Sequence, residues 1–372
     1  MIGEEEKNAV LEVLGGNMLV HGPKSKAFEQ AFCENTGAPY ATCVSSCTAG
    51  MHLVWFSLGV GPGDEIIVPA QTHVATAHAV EALGAKPVFC DAEIATGNID
   101  IDKLESLVTE RTKGICVVHY LGLPVDMDRV NAFARPHGLF VLEDCALALG
   151  SRLDGKHAGL LGDAGSFSFY PVKHITTAEG GMVIARTKDL VEKISKARAF
   201  GVDRVVGERK VPGIYDVTML GFNYRMNDLQ AAMGVEQLKK APAMLRRREE
   251  NYSALREGLQ GIDEIDLFRS SGGKYQSSYY CMSIILRRDM AAKRQRIIES
   301  LNAFGVGTSV YYPAPVPHLT YYREKYGYDF AQFPVAGRIS YGSIALPVGP
   351  HLDVDDMRYI VKSLKQAISE AK

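Results

Sequence analysis

Residues 86–119 read KPVFCDAEIATGNIDIDKLESLVTERTKGICVVH, and this stretch decides the fold. Its two ends, 86–90 and 114–119, are short and nearly all apolar, the composition of strands buried on both faces. Between them, residues 101–108 have helical spacing. Strand, helix, strand in that order is the pattern of a parallel sheet covered by helices, so the chain is expected to be an α/β protein.

The alternation continues on both sides. Toward the N-terminus, residues 4–14 and 24–34 read as packing helices separated by Gly22-Pro23, 40–45 as a strand, 51–58 as an apolar helix and 65–69 as a strand. Residues 70–79 then turn into a helix through Gln71, Thr72 and His73. The small residues Ser46, Cys47, Thr48 and Ala49 stand at a strand-to-helix junction, where first-turn N–H groups and hydroxyls suit a phosphate. A plain N-capped helix is the simpler account of them from the sequence alone. Toward the C-terminus, 139–142 is a wholly apolar strand that delivers Glu143 and Asp144 to its carboxyl end, where α/β folds place ligands. Strand alternation sends the two carboxylates to opposite sides of the sheet. Asp144 there could pair with a protonated ring nitrogen or cap a following helix.

Residues 166–181, SFSFYPVKHITTAEGG, set a lysine between two strands. Ser166 to Phe169 alternate polar and aromatic residues, Pro171 ends the ladder, and Gly180-Gly181 suit a tight reversal before the strand 182–185. A lysine shielded there is disfavoured as a cation, and its neutral amine becomes available to form an imine. Exposed, it would be one more solvated lysine. Residues 188–198 read as a helix and 201–218 as a long loop. Asn227 caps a helical region over 228–257, with Gly258 as its stop and Pro242 as a break or kink. A large domain over residues 1–240 and a small C-terminal domain over 241–372 follow. The small domain reads as a strand at 277–286, a helix at 291–304 and a terminal helix at 354–369.

Composition narrows the class. The 372 residues are 47% hydrophobic and 23% charged, with a net charge of −2, enough for a large core and without the basic footprint of a nucleic-acid or membrane-surface protein. The N-terminus, MIGEEEKNAVLEVL, is acidic and amphipathic where a signal peptide needs a basic start, and no apolar run reaches membrane-spanning length, so a cytoplasmic protein is expected. Seven cysteines without a CxxC pair fit neither a zinc site nor a disulfide framework, and no metal is expected. A GxGxxG dinucleotide fingerprint is missing, which weighs against an oxidoreductase.

The segment FSFYPVKHITTAEGGMV, with EDCA at 143–146 and GFNYRM at 221–226, resembles the DegT/DnrJ/EryC1 family of sugar aminotransferases, and the likeness runs over nearly the whole chain. It implies pyridoxal phosphate as cofactor and fold type I architecture: a large domain with a mainly parallel seven-stranded sheet and a smaller C-terminal α/β domain. Lys173 would hold the cofactor as an imine, and Asp144 would pair with its ring nitrogen. Cys47-Thr48 would stand at the family's phosphate-cradling Gly-Thr, with the Cys47 side chain added beside the phosphate. His73 would occupy the position of the aromatic that stacks on the ring, and Ser168 would also contact the cofactor. Asn223 would reach the cofactor phosphate of the partner subunit in a homodimer with a shared active site. Arg225, Tyr312 and His318 would lie on the substrate side, and the loop with His119, Tyr120 and Gly122 near the sugar. Where the family often has Gln, His or Glu three residues after the Asp, Leu147 stands here. The implied partners are L-glutamate with 2-oxoglutarate and a keto sugar, carried on a nucleotide, as in lipopolysaccharide or natural-product amino-sugar biosynthesis. A keto-sugar dehydratase of the same family carries His in place of Lys173; a cofactor-binding regulator without turnover is the other alternative.

Overall fold

A computed structural model of the protein describes residues 2–203 and 214–372. Seven strands form the main sheet: β1 (Tyr40–Val44), β2 (Glu65–Pro69), β3 (Lys86–Cys90), β4 (Thr112–Val118), β5 (Phe140–Asp144), β6 (Ala164–Ser168) and β7 (Gly181–Ala185). Their spatial order is β1-β7-β6-β5-β4-β2-β3, and every neighbouring pair is parallel except that β7 runs antiparallel to both β1 and β6. This is the fold type I arrangement.

Both faces of the sheet are covered, which is why its strands carry so few polar residues. The covering helices are α1 (Glu4–Leu14), α2 (Pro23–Thr36), α3 (Cys47–Ser57), α4 (Val74–Glu81), α5 (Met127–Ala134), α6 (Lys188–Ala197) and α7 (Asp228–Leu259). Along β7, Val183 and Ala185 join the core of α3, α4 and α6, while Met182 and Ile184 pack with Phe28 and Phe32 of α2. In β5, Leu142 joins the first of these cores and Val141 faces α5. The same alternation sends Asp144 toward α3 and α4, and Glu143 to the other side.

In the first part of the chain, through α7, four local expectations are corrected. Residues 101–108 form two 3₁₀ turns, Ile101–Lys103 and Glu105–Leu107, in place of a helix. The Asp100 side chain caps the first turn and Asp91 holds Lys103, so the segment tightens around the buried Leu104. Helix α7 runs unbroken through Pro242 for 32 residues. Gly258 does not stop it: a Cβ there would lie 2.6 Å from Val361 Cγ2, so this glycine serves close helix packing. Last, helix α3 begins at Cys47 itself, which places the small residues of the junction inside its first turn. The loop expected over 201–218 has its middle, residues 204–213, outside the described residues.

The C-terminal part has its own antiparallel sheet, β8 (Ile265–Leu267), β9 (Met282–Leu286) and β10 (Ser343–Leu346), with helices α8 (Arg294–Ala303), α9 (Thr320–Tyr326), α10 (Pro334–Gly342) and α11 (Val354–Ala371). The strand expected over 277–286 starts only at Met282, and the helix expected over 291–304 opens with a 3₁₀ turn, Arg288–Lys293. The second half of α7 contributes Tyr252, Leu255 and Leu259 to this second core. Helices α9 and α10 return to the first: Tyr322, Ala336 and Ile339 are buried there. Asp91 accepts from the N–H groups of Val335 and Ala336 at the start of α10, and Glu81 of α4 accepts from the hydroxyls of Tyr321 and Tyr326 in α9.

Candidate active site

The carboxyl ends of β1, β2, β5 and β6 lie at one edge of the sheet, and β7 starts there, so residues far apart in the chain converge. At the end of β1, Ser46 caps α3 by accepting from the Ala49 N–H at 3.0 Å, and the first-turn N–H groups have no intrahelical partner. Thr48 is half-buried in that turn. Gly181 permits β7 to begin directly against it, since a Cβ would lie 2.5 Å from the Ser46 carbonyl carbon. This is a cradle of backbone donors at the positive end of a helix dipole, with the chemistry that a phosphate needs.

Asp144 ends β5, 5% exposed. Its Oδ2 accepts from the Thr76 hydroxyl at 2.8 Å, and its Oδ1 from the Ala146 N–H at 3.0 Å. The Cys47 thiol does not take the expected place beside the phosphate cradle. It is buried under the helix, 3.7 Å from Asp144 Oδ1 and 3.3 Å from the Ser166 carbonyl oxygen. Burial, and then the charge of Asp144, push this thiol pKa well above its usual value, so it stays a neutral donor.

Lys173 follows β6 in the turn before β7 and is half-buried. Burial pulls its pKa down from 10.5, with Asp144 and Cys47 opposing. No carboxylate lies within ion-pair distance of its amine among the described residues; the contact that holds Nζ is the Tyr280 ring, 5.5 Å away at its centroid. A lysine so placed is a nucleophile in waiting, within electrostatic reach of Asp144 and Cys47. The neighbouring His174 is buried, donates Nε2–H to the Ser278 carbonyl at 3.0 Å, and is held neutral by burial and by the nearby Arg248.

His73 is exposed at the N-cap of α4, its Nδ1 accepting from the Ala75 N–H at 3.2 Å and its ring 5.5 Å edge-to-face from Tyr312. Both rings are within electrostatic reach of Asp144; partial burial lowers the His73 pKa, and burial raises that of Tyr312. Ser168, half-buried, ends β6 and pairs in register with Gly181. Asn223 stands exposed, bonded through Oδ1 to Arg225 Nε at 2.9 Å, and Arg225 also meets His21 and the Phe200 ring. His318 is buried: Nε2 donates to the Gln332 carbonyl at 2.8 Å and Nδ1 accepts from the Tyr341 hydroxyl at 3.0 Å, which leaves no ring nitrogen for a substrate. The structure thus brings Cys47, Thr48, His73, Asp144, Ser168, Lys173 and Tyr312 to one edge, while Asn223 is exposed, Arg225 is half-buried against His21 and Phe200, and His318 is a packing residue.

His119 and Tyr120 are turned inward. The Nδ1 of His119 accepts from the Val125 N–H, and its Nε2–H donates to Glu143 at 2.8 Å; Glu143 also accepts from the Gly159 and Gly162 N–H groups. His119, Glu143 and Cys145 come within 4.8 Å of one another, but the His and Glu atoms are already committed to these bonds. The Tyr120 hydroxyl and the Gln71 amide both donate to the Tyr311 carbonyl, which ties the Tyr311-Tyr312 turn to the large sheet. Thr76 and Tyr280 escaped sequence reasoning. A threonine in a first helical turn and a tyrosine before a strand carry no local mark of what they face.

The comparisons agree with this geometry. The model of the DegT/DnrJ/EryC1/StrS aminotransferase family matches residues 1–365. The chain is 35% identical to the spore coat polysaccharide biosynthesis protein SpsC of Bacillus subtilis, over all of this chain and 96% of that protein. Among solved structures, it superposes on PseC of Helicobacter pylori, an aminotransferase involved in the biosynthesis of pseudoaminic acid, with a TM-score of 0.91 and 30% identity over 100% and 98% of the two chains. The PLP-form of Spr1654 from Streptococcus pneumoniae matches with a TM-score of 0.92 and 29% identity over the same shares. The chain belongs to the DegT/DnrJ/EryC1/StrS aminotransferase family, and is a transaminase of fold type I that uses pyridoxal phosphate.

Proposed function

We propose that the protein transfers an amino group from L-glutamate, which leaves as 2-oxoglutarate, to a keto sugar carried on a nucleotide, in the synthesis of amino sugars for cell-surface polysaccharide or natural products. The observation that carries this reading is Lys173: an amine with lowered proton affinity and no acid partner among the described residues, set beside Asp144 at the sheet edge. Pyridoxal phosphate, when bound, supplies the electron sink and carries the amino group between the two half-reactions. Asp144 would hold the ring nitrogen, the N-terminal turn of α3 with Thr48 and Ser168 the phosphate, and His73 one ring face. Lys173 Nζ would bind the cofactor covalently and, once displaced by the substrate amine, move a proton between the substrate Cα and the cofactor C4′. The Tyr280 ring lies over that amine and would help to keep water from it.

We further propose a homodimer in which Asn223 and Arg225 complete the partner's site. In support, Met18, Leu19, Val20, Phe200, Tyr215 and Leu220 expose apolar surface around them. A groove of about 1060 Å³ also opens between α2 and α6, with Phe200 and Arg225 on its wall. Cytoplasmic location is part of the same proposal; among the described residues no helix is long and apolar enough to cross a membrane.

The test is an absorbance spectrum of the purified protein with and without glutamate, beside Lys173→Ala. The parent is expected to show the long-wavelength band of bound cofactor, bleached by glutamate, and the variant to lose or alter it. A band that no amino donor bleaches would overturn the transfer reading, and a sugar product lacking nitrogen would favour the dehydratase.

A further inference from the structure

Asp144 is aimed by something other than its own turn. An ionised carboxylate has about four acceptor positions. The Ala146 N–H reaches Oδ1 at 3.0 Å, and the Thr76 hydroxyl reaches Oδ2 at 2.8 Å. The Cys47 thiol has one proton and two acceptors, and the Ser166 carbonyl at 3.3 Å is nearer than Oδ1 at 3.7 Å. On the turn after Asp144, Leu147 is apolar and 2% exposed and the Cys145 thiol lies with Glu143 and His119, so neither side chain is a donor to Asp144. Thr76 is therefore the hydroxyl that fixes the plane of the carboxylate.

Its own direction is also set. A hydroxyl carries one proton, and Thr76 donates it to Asp144, so the 2.8 Å contact between Thr72 Oγ1 and Thr76 Oγ1 must run from Thr72 to Thr76. Both residues are buried, at 1% and 0% exposure, and water does not compete. The relay crosses from the start of α4, above the end of β2, to the end of β5, two strands away in the sheet. It leaves one acceptor position on each oxygen of Asp144, and a donor from the cleft can take one of them.

We propose that Thr76, oriented by Thr72, is the positioning residue that aims Asp144 at the cofactor ring nitrogen. This rests on the assignment of Asp144 to that nitrogen. The test compares the parent with Thr76→Val, Thr76→Ser and Thr72→Val, reading the Kd for pyridoxal phosphate on reconstitution of the apoprotein and the pH midpoint of the long-wavelength band. Losing a hydrogen bond to a charged group is expected to weaken binding roughly ten- to a hundredfold in Thr76→Val. The same variant should shift the pH midpoint, Thr76→Ser should restore both values, and Thr72→Val should fall between. Parent-like values for Thr76→Val would overturn the proposal, as would a Thr76→Ser variant as impaired as Thr76→Val, which marks mere packing. Should Thr76→Val fail to fold, Thr72→Val and Thr76→Ser still decide: an unaltered midpoint in Thr72→Val counts against the relay. Loss of band in Asp144→Asn with no effect of Thr76→Val would sink this inference alone, whereas an Asp144→Asn variant with the parent's band and Kd would sink the assignment beneath it.

Discussion

Gly181 is where a single missing carbon holds two elements together. Its hypothetical Cβ would come within 2.5 Å of the Ser46 carbonyl carbon and 2.7 Å of the Cys47 nitrogen, both backbone atoms at the start of α3. Backbone cannot swing aside as a side chain can. Gly181→Ala is therefore expected to cost about 1–3 kcal/mol by overpacking, and to weaken pyridoxal phosphate binding beyond that, because the displaced turn is the one whose N–H groups face the phosphate. Urea unfolding of the apoprotein and cofactor titration separate the two effects; equal losses in both would mean that the turn plays no special part. In the sequence this glycine announced only a reversal. The positions of Lys173, in a turn between strands, and of Asp144, at a strand end, were legible from Pro171, the Gly180-Gly181 pair and an apolar run, while their roles came from the family resemblance. Thr76 was not, because its partner lies on a strand 68 positions later in the chain. The side chain of Cys47 was misplaced for a related reason: a first-turn residue can face the ligand or the sheet, and the position of Asp144 decides which.

At the scale of elements, Pro242 shows a strong local signal overruled. Proline removes one helical hydrogen bond, the one to the Leu238 carbonyl, yet Leu238 and Ala241 before it and Tyr252 and Leu255 after it are anchored in two cores, and that packing carries the helix through. Helix α7 also holds α1. Glu6, 1% exposed, accepts from Gln237 Nε2 at 2.7 Å, Lys240 Nζ at 2.8 Å and the Gly3 N–H at 2.7 Å. Burial alone would raise its pKa, but these bonds win and hold it at about 2, against 4.5 for the free group. A depressed folded pKa means a contribution fully present above pH 4.5 and lost as the pH falls toward 2. Glu6→Gln is expected to cost about 1–3 kcal/mol at neutral pH and to flatten the fall of stability through that acid window. Urea midpoints across the window check it, and a variant with the parent's slope would show that α1 is held by its apolar contacts.

For the whole molecule, the two cores do not divide the chain cleanly, because α9 and α10 leave the C-terminal sheet and pack on the large one, carrying the Tyr311-Tyr312 turn to His73. Helix α7 passes from one core to the other between Met244 and Tyr252, and no sequence pattern marks the return of residues 320–342, since amphipathic helices do not say which core they cover. The same reasoning applies one level up. Asn223 and Arg225 come from a segment bearing a clear motif; Asn223 is exposed and Arg225 is half-buried against His21 and Phe200, and a second chain is proposed to cover them. If the proposed dimer shares its sites, Lys173→Ala and Asn223→Ala subunits, each inactive alone, should complement when mixed and reassembled. The hybrid keeps one site with an intact lysine from one subunit and an intact Asn223 from the other, while its second site loses both. Random reassortment makes half of the dimers hybrids with one working site in two, so about a quarter of the parent's activity should return. If Asn223 served the site of its own subunit, every site in the mixture would carry one of the two lesions and no activity would appear. Regained activity therefore measures where Asn223 acts, and its dependence on protein concentration during reassembly would report the dimer itself.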